Sequence, residues 1–151
     1  MTQRRKLAVA CIAAALTIGA VGAQAQWVAV ARAVSGRVHQ MSDRSKDGSG
    51  FDVATVVLEA NADKVYQTAL KNLSARTDLK ITGKDERRRI VQFTNGLQVA
   101  SMQATALGDK LTQLVVASNL LPGQPSSTSL VVQGVLKVCK EMDVECTLEE
   151  Q

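Results

Sequence analysis

The reactive side chains of this 151-residue sequence are few: one histidine, three cysteines, and scattered carboxylates and hydroxyls. Most group-transfer and hydrolytic chemistry near neutral pH needs a base that titrates there. His39 is the sole imidazole and precedes the strongly patterned part of the chain, so it reads as a solvated residue, with general-base catalysis as the rival role. No G-x-S-x-G elbow presents a serine nucleophile. Neither G-x-x-x-x-G-K-[ST] nor G-x-G-x-x-G is present, and no motif implies a cofactor. A zinc site needs His, Cys or carboxylates to converge, and one His with two cysteines that read as bridged is a poor donor set. Asp85-Glu86 is a carboxylate pair in a predicted turn, where adjacent side chains diverge, and it reads as a polar hairpin tip. The expectation is a protein without catalytic, cofactor or metal residues.

Cys139 and Cys146 are close enough in sequence for a local disulfide. Two buried thiols and a redox pair are the alternatives. Redox dithiols are usually C-x-x-C near a helix start, whereas Cys139 falls late in a predicted helix, where the dipole does not favour a thiolate. Arg87-Arg88-Arg89 is the one dense charge cluster. Placed on a strand, Arg87 and Arg89 face one way and Arg88 the other. The run reads as a solvated strand start that discourages edge pairing. The sharper reading is a contact for anionic envelope material, such as lipid head groups or lipopolysaccharide phosphate, through the guanidinium fork.

Residues 1–25 carry the pattern of a secretory signal. Arg4, Arg5 and Lys6 form a basic head, an Ala-rich apolar run follows from Leu7 to Ala23, and Ala23-Gln24-Ala25 sets small residues where a signal peptidase reads. The run is shorter and less apolar than the roughly 20 residues of a spanning helix. Cleavage after Ala25 is therefore expected over an uncleaved anchor, leaving no stable transmembrane segment. Lipidation at Cys11 would need a lipobox, and Ala8-Val9-Ala10 lacks the usual opening Leu. Arg4-Arg5 keeps the twin-arginine route beside the general secretory one. The expected destination is the bacterial periplasm or the medium, and an even pair of mature cysteines suits that oxidising space.

Removing 25 of 151 residues leaves 126, enough for one domain with one core. Three of the 18 basic side chains leave with the signal, so 15 face 14 acidic ones. That near-neutral balance offers no concentrated basic face for nucleic acid. Trp27, Phe51, Tyr66 and Phe93 are all the aromatics, few for stacking platforms.

Residues 26–50 read as a lead segment and flexible linker, closing on the charged and small Lys46-Asp47-Gly48-Ser49-Gly50. A single domain is expected over 51–151. Phe51 to Ala60 reads as a central strand, since both alternating sets contain apolar residues. Asn61 suits a helix N-cap, and Val65, Tyr66, Ala69, Leu70 and Leu73 form an apolar stripe with Asn72 placed towards water. Strands follow at Leu79–Thr82, Arg87–Thr94, Leu97–Ala106 and Leu111–Asn119, with Asn95-Gly96 as a type I′ hairpin turn and Gly108-Asp109 as another turn. Pro122 and Pro125 break the chain, Ser126 or Ser127 caps a last helix reaching about Met142, and Gly134 in its stripe allows close approach to the sheet. The predicted class is α+β: an antiparallel sheet of four to five strands with two helices on one face, in the order β-α-β-β-β-β-α.

Phe51-Asp52-Val53-Ala54, then Ala62-Asp63-Lys64-Val65-Tyr66 opening a helix, then a hairpin meander and a last helix, resembles small uncharacterised secreted proteins of proteobacteria. Over roughly Phe51 to Leu148 the layout is also similar to the helix-grip domains of the outer-membrane assembly lipoprotein BamC. This chain departs from BamC in lacking a credible lipobox cysteine. The resemblance implies a non-enzymatic envelope domain. The export signal, the sheet-plus-helices layout and the lack of catalytic sets make binding of a protein partner the first expectation. A carrier or sensor of an apolar or lipid ligand, held between sheet and C-terminal helix, is the second expectation. An envelope hydrolase is the third.

Overall fold

The structure is a computed structural model and describes residues 33–124 and 130–149. The signal residues Ala23 and Ala25, Cys11, and the capping serines 126 and 127 lie outside the described residues. The elements run β1 (Arg37–Arg44), β2 (Gly50–Leu58), α1 (Ala62–Ser74), β3 (Lys80–Asp85), β4 (Ile90–Thr94), β5 (Val99–Gly108), β6 (Leu111–Leu120), α2 (Leu130–Glu141) and β7 (Thr147–Leu148). The strands form one seven-stranded sheet in the order β3-β4-β5-β6-β2-β1-β7. Every pairing is antiparallel except that of β7 with β1. The chain is thus an α+β fold, with more strands than the four to five expected.

Much of the excess comes from residues read as lead and linker. Val38 is the one fully buried apolar side chain of β1, so the strand carries almost no hydrophobic alternation to reveal it. Its pairing with β2 runs from Val38↔Val56 to Arg44↔Gly50. The small polar stretch after it is turn chemistry: one Asp47 carboxylate oxygen accepts from the Ser45 hydroxyl, from Ser49 Oγ at 2.7 Å and from Ser49 N at 3.1 Å. Gly48 supplies φ +83°.

Each strand pair aligns residues of one face in rows. Val38, Val56, Leu114 and Ala104 form one row beneath the helices, and Gln40, Ala54, Val116, Met102 and Val91 form the next. Helices α1 and α2 both cover this face, burying Val65, Tyr66, Ala69 and Leu73 from α1 and Val131, Val135, Val138 and Cys139 from α2 in one cluster. Asn61 caps α1 as expected, its side-chain oxygen accepting from Asp63 N at 2.9 Å. Asn72 departs from expectation: it is buried, because α2 lies over that flank of α1.

Two hairpins differ from the sequence reading. Residues 86–89 form the β3–β4 loop, so the arginine run lies in a turn rather than on a strand, with Arg89 at φ +53°. Asn95-Gly96 begins a four-residue loop closed by Thr94↔Val99. Only Gly96 of the pair takes positive φ, whereas a type I′ turn needs both. Asn95 instead accepts from Leu97 N at 3.0 Å and Gln98 N at 2.7 Å, holding the wider loop with its side chain.

Helix α2 ends in a Schellman arrangement: Val144 N donates to Cys139 O at 2.9 Å and Asp143 N to Lys140 O at 3.2 Å, with Asp143 at φ +57°. That reversal turns the tail back, and Thr147 N and Glu149 N then donate to Gly36 O and Val38 O, both at 3.0 Å.

Candidate functional site

The cysteine pair is closed: Cys139 and Cys146 are joined with an S–S distance of 2.07 Å and Cα atoms 6.0 Å apart. The bridge ties the last turn of α2 to the tail carrying β7. A closed bridge is chemistry typical of an oxidising compartment. Among the described residues no helix is long and apolar enough to cross a membrane.

His39 is on β1, half-exposed, with Nδ1 2.8 Å from Glu149 Oε2. Arg37 Nη1 reaches the other oxygen of the same carboxylate at 3.2 Å. Both side chains therefore serve the β1–β7 edge, and His39 has no nucleophile beside it among the contacts found. Asp85 accepts from Arg88 N at 3.0 Å, organising the hairpin tip.

The three arginines do not act as one patch. Arg89 folds onto the first turn of α1, where Nε donates to Asp63 Oδ1 at 2.6 Å, and this bond holds the Asp63 carboxyl below the usual range. Arg88 lies 3.7 Å from Asp85. Arg87 makes no ion pair among the described residues. The structure thus spreads over three local settings what the sequence presents as a single charge block. Tyr66, beneath this corner, donates to Ile90 O at 3.4 Å; burial, then the Glu86 and Asp85 charges, push its phenol upward.

A buried polar corner escaped the sequence reading. Asp52 is fully buried on the helix-facing side of β2. Its two oxygens accept from Gln40 Nε2, each at 3.0 Å, and one also from Ser42 Oγ at 2.6 Å. Ser118, the cross-strand neighbour of Asp52, has a buried hydroxyl with no hydrogen-bond partner among the described residues. The alternation of Gln40, Ser42 and Asp52 across paired strands was the available signal, and it is invisible without β1.

Besides open hollows next to the disulfide and along the β3–β4 hairpin, two surfaces among the described residues could receive another molecule. The first is a cleft of about 30 Å³ between α1 and α2, floored by Phe93 and Met102 of the sheet. Beside it Thr68 of α1 donates to Met142 Sδ at 3.3 Å, and Arg76 and Lys137 are among the residues that line the cleft. The second is the sheet face turned away from α1 and α2. Met41, Val53, Ala117 and Ser101 form a row across it, and Phe51 and Asn119 pair in the row beside. Met41 is 63% exposed, Phe51 47% and Val99 60%. Asn119 joins Phe51 to Val99, its Oδ1 accepting from Val99 N at 2.7 Å.

No family model and no curated protein matches this sequence. Among solved structures, the chain is similar to a conserved protein of unknown function from Enterococcus faecalis. That match has 12% identity and a TM-score of 0.48, covering 70% of this chain and 77% of the other. It is also similar to an aromatase/cyclase from a Streptomyces species, at 13% identity and a TM-score of 0.40, covering 63% of this chain and 87% of the other.

Proposed function

We propose that this protein is a non-enzymatic domain of the bacterial periplasm, or of the secreted fraction, that binds a protein partner through the sheet face opposite α1 and α2. The observation that carries this reading is the contiguous set Met41, Phe51, Val53 and Val99 on a face that an ordinary two-layer α+β domain fills with polar side chains. Large apolar groups gathered on one surface and rimmed by polar ones suit a protein interface. Asp43, Thr55, Gln103 and Asn119 supply such a rim. The two-helix grip on the opposite face gives a rigid support, which we read as a helix-grip-like arrangement. The closed disulfide and the leader pattern support the compartment.

The test is photo-cross-linking in the producing bacterium. A photoreactive residue at position 51 is expected to give a discrete adduct that a Met41→Glu background suppresses. The same residue at Lys71, exposed on α1, is expected to give none. Equal labelling from both positions, or none from position 51, counts against the interface. Retention of the intact leader in the purified product would count against the compartment.

A further inference from the structure

We propose that the sheet face opposite α1 and α2 binds a second copy of this chain, the two sheets packing face to face about a two-fold axis that runs along the strands between β5 and β6. This rests on the reading of that face as an interface, and it names the partner. In a two-fold contact one patch must complement itself, and the face does so in shape and in charge.

Shape comes first. One row of the face crosses six strands, from Gly83 on β3 through Gln92, Ser101, Ala117 and Val53 to Met41 on β1. Met41 is a knob, 63% exposed. At the other end Gly83 has no side chain, and an open hollow of about 210 Å³ lies there, walled by Ile90 and Gln92 and edged by Lys84 and Asp85. Rotation about the axis lays β3 of one copy over β1 of the other, so each Met41 enters the other copy's hollow. An unbranched thioether suits such an irregular space.

Charge agrees. The row beside it has Lys80 at its β3 end and Asp43 at its β1 end. Both residues are exposed, and neither makes an ion pair among the described residues. The same rotation sets Lys80 of each copy against Asp43 of the other, twice per dimer. A two-fold axis across the strands also matches charges, Lys80 against Asp85, but it stacks Met41 on Met41 and leaves both hollows empty. Shape therefore selects the axis along the strands. Six strands about 4.8 Å apart and about eight residues long present roughly 700 Å², close to the ~800 Å² that each partner gives to a stable interface. Sheets stacked in this way keep their strands within about 30° of each other while their facing side chains interdigitate.

The experiment is sedimentation velocity of the purified full-chain product over a range of concentrations, with a dimer expected by about 100 μM. Met41→Glu is expected to weaken that dimer about tenfold or more, since it sets a charge in a desolvated contact. Gly83→Leu fills the hollow and is expected to weaken it as much; the Gly83 backbone is not left-handed, so this variant keeps its fold. The charge pair tests the axis at exposed positions where folding is not at risk. Lys80→Asp is expected to weaken the dimer several-fold, and adding Asp43→Lys to restore it to within about twofold. A photoreactive residue at position 41 is expected to join the β3–β4 hairpin of the second copy. The proposal is overturned by a monomer at about 100 μM, by full affinity in Gly83→Leu, by no rescue in the charge exchange, or by cross-links from position 41 to position 41. A monomer whose position-51 adduct in the bacterium has the mass of a different polypeptide refutes the second copy and leaves the interface standing. A monomer without any such adduct refutes both.

Discussion

Gly134 offers a sharp test of how α2 sits on the sheet. A glycine in a helix stripe reads as a close-packing residue, and its replacement would then be damaging. The geometry argues the reverse. A Cβ built at Gly134 meets Met102 Cε and Val116 Cγ1, both at 3.9 Å, which is ordinary van der Waals contact. Its backbone is helical, so no special conformation is given up. Gly134→Ala should then gain about 1 kcal/mol of helix propensity. The added methyl is half-buried, contributing a fraction of the ~0.8 kcal/mol of a fully buried CH₂. Together these raise stability by about 1–1.5 kcal/mol, or Tm by about 4 °C or more for a domain of this size. Urea unfolding should show a higher midpoint with an unchanged slope. Gly36→Ala is the contrasting control: φ is +77° and the new Cβ would lie 2.5 Å from Glu145 O, so this variant should be strongly destabilised. A lower midpoint for Gly134→Ala would refute the packing distance between α2 and the sheet.

Reduction of the disulfide, or paired Cys139→Ser and Cys146→Ser replacement, should lower stability by about 2.5 kcal/mol. The loop spans a sequence separation of 7, and loop-closure entropy for so short a ring gives that figure; an unchanged urea midpoint would contradict it. Asp143→Gly should raise stability by about 1 kcal/mol, because the residue sits at φ +57° and places a carboxylate against a helix C-terminus. A lower Tm would show that the Asp143 side chain has a role beyond the turn. Asp47 should titrate at about 2, held down chiefly by the Ser45 hydroxyl, then by Ser49. Its folded pKa lies below the ordinary value of about 3.9, so its contribution to stability is present above that value and fades as pH falls towards 2. An NMR midpoint near 4 for the Asp47 carboxyl would show that the β1–β2 turn is not held as described.

The legible parts of the fold are those where one local signal decides. Asn61 announced its cap, the Val65–Leu73 stripe its buried side, and Gly108-Asp109 a turn, because each depends on residues a few positions apart. β1 was not legible: with Gln40 and Ser42 on its inner face, its inward positions are satisfied by Asp52, a partner that sequence alone does not place beside them. Asn95-Gly96 misled because the side chain of Asn95, not its backbone conformation, closes the turn. Asn72 misled because its burial comes from a helix about 60 residues further along the chain. Neither candidate surface follows from a motif, since one depends on where α2 crosses α1 and the other on which face α1 and α2 leave open.

The strand FDVATVVL shows how these features depend on one another. One alternating set holds Phe51, Val53, Thr55 and Val57, and the other Asp52, Ala54, Val56 and Leu58. Hydrophobicity alone does not choose which set faces the helices. A one-residue slip would bury Phe51 and expose Asp52, exchanging the two faces along the whole strand. What favours the observed register is polar pairing: Gln40 and Ser42 enter the same side as Asp52 and satisfy its carboxylate. Burial of Val56 and Leu58 further along agrees with that choice. Phe51 and Val53 are therefore outside because Asp52 is satisfied inside. The apolar outer face and the buried polar corner are two consequences of one register, and a protein that only needed a stable core would have little reason to turn its phenylalanine outward.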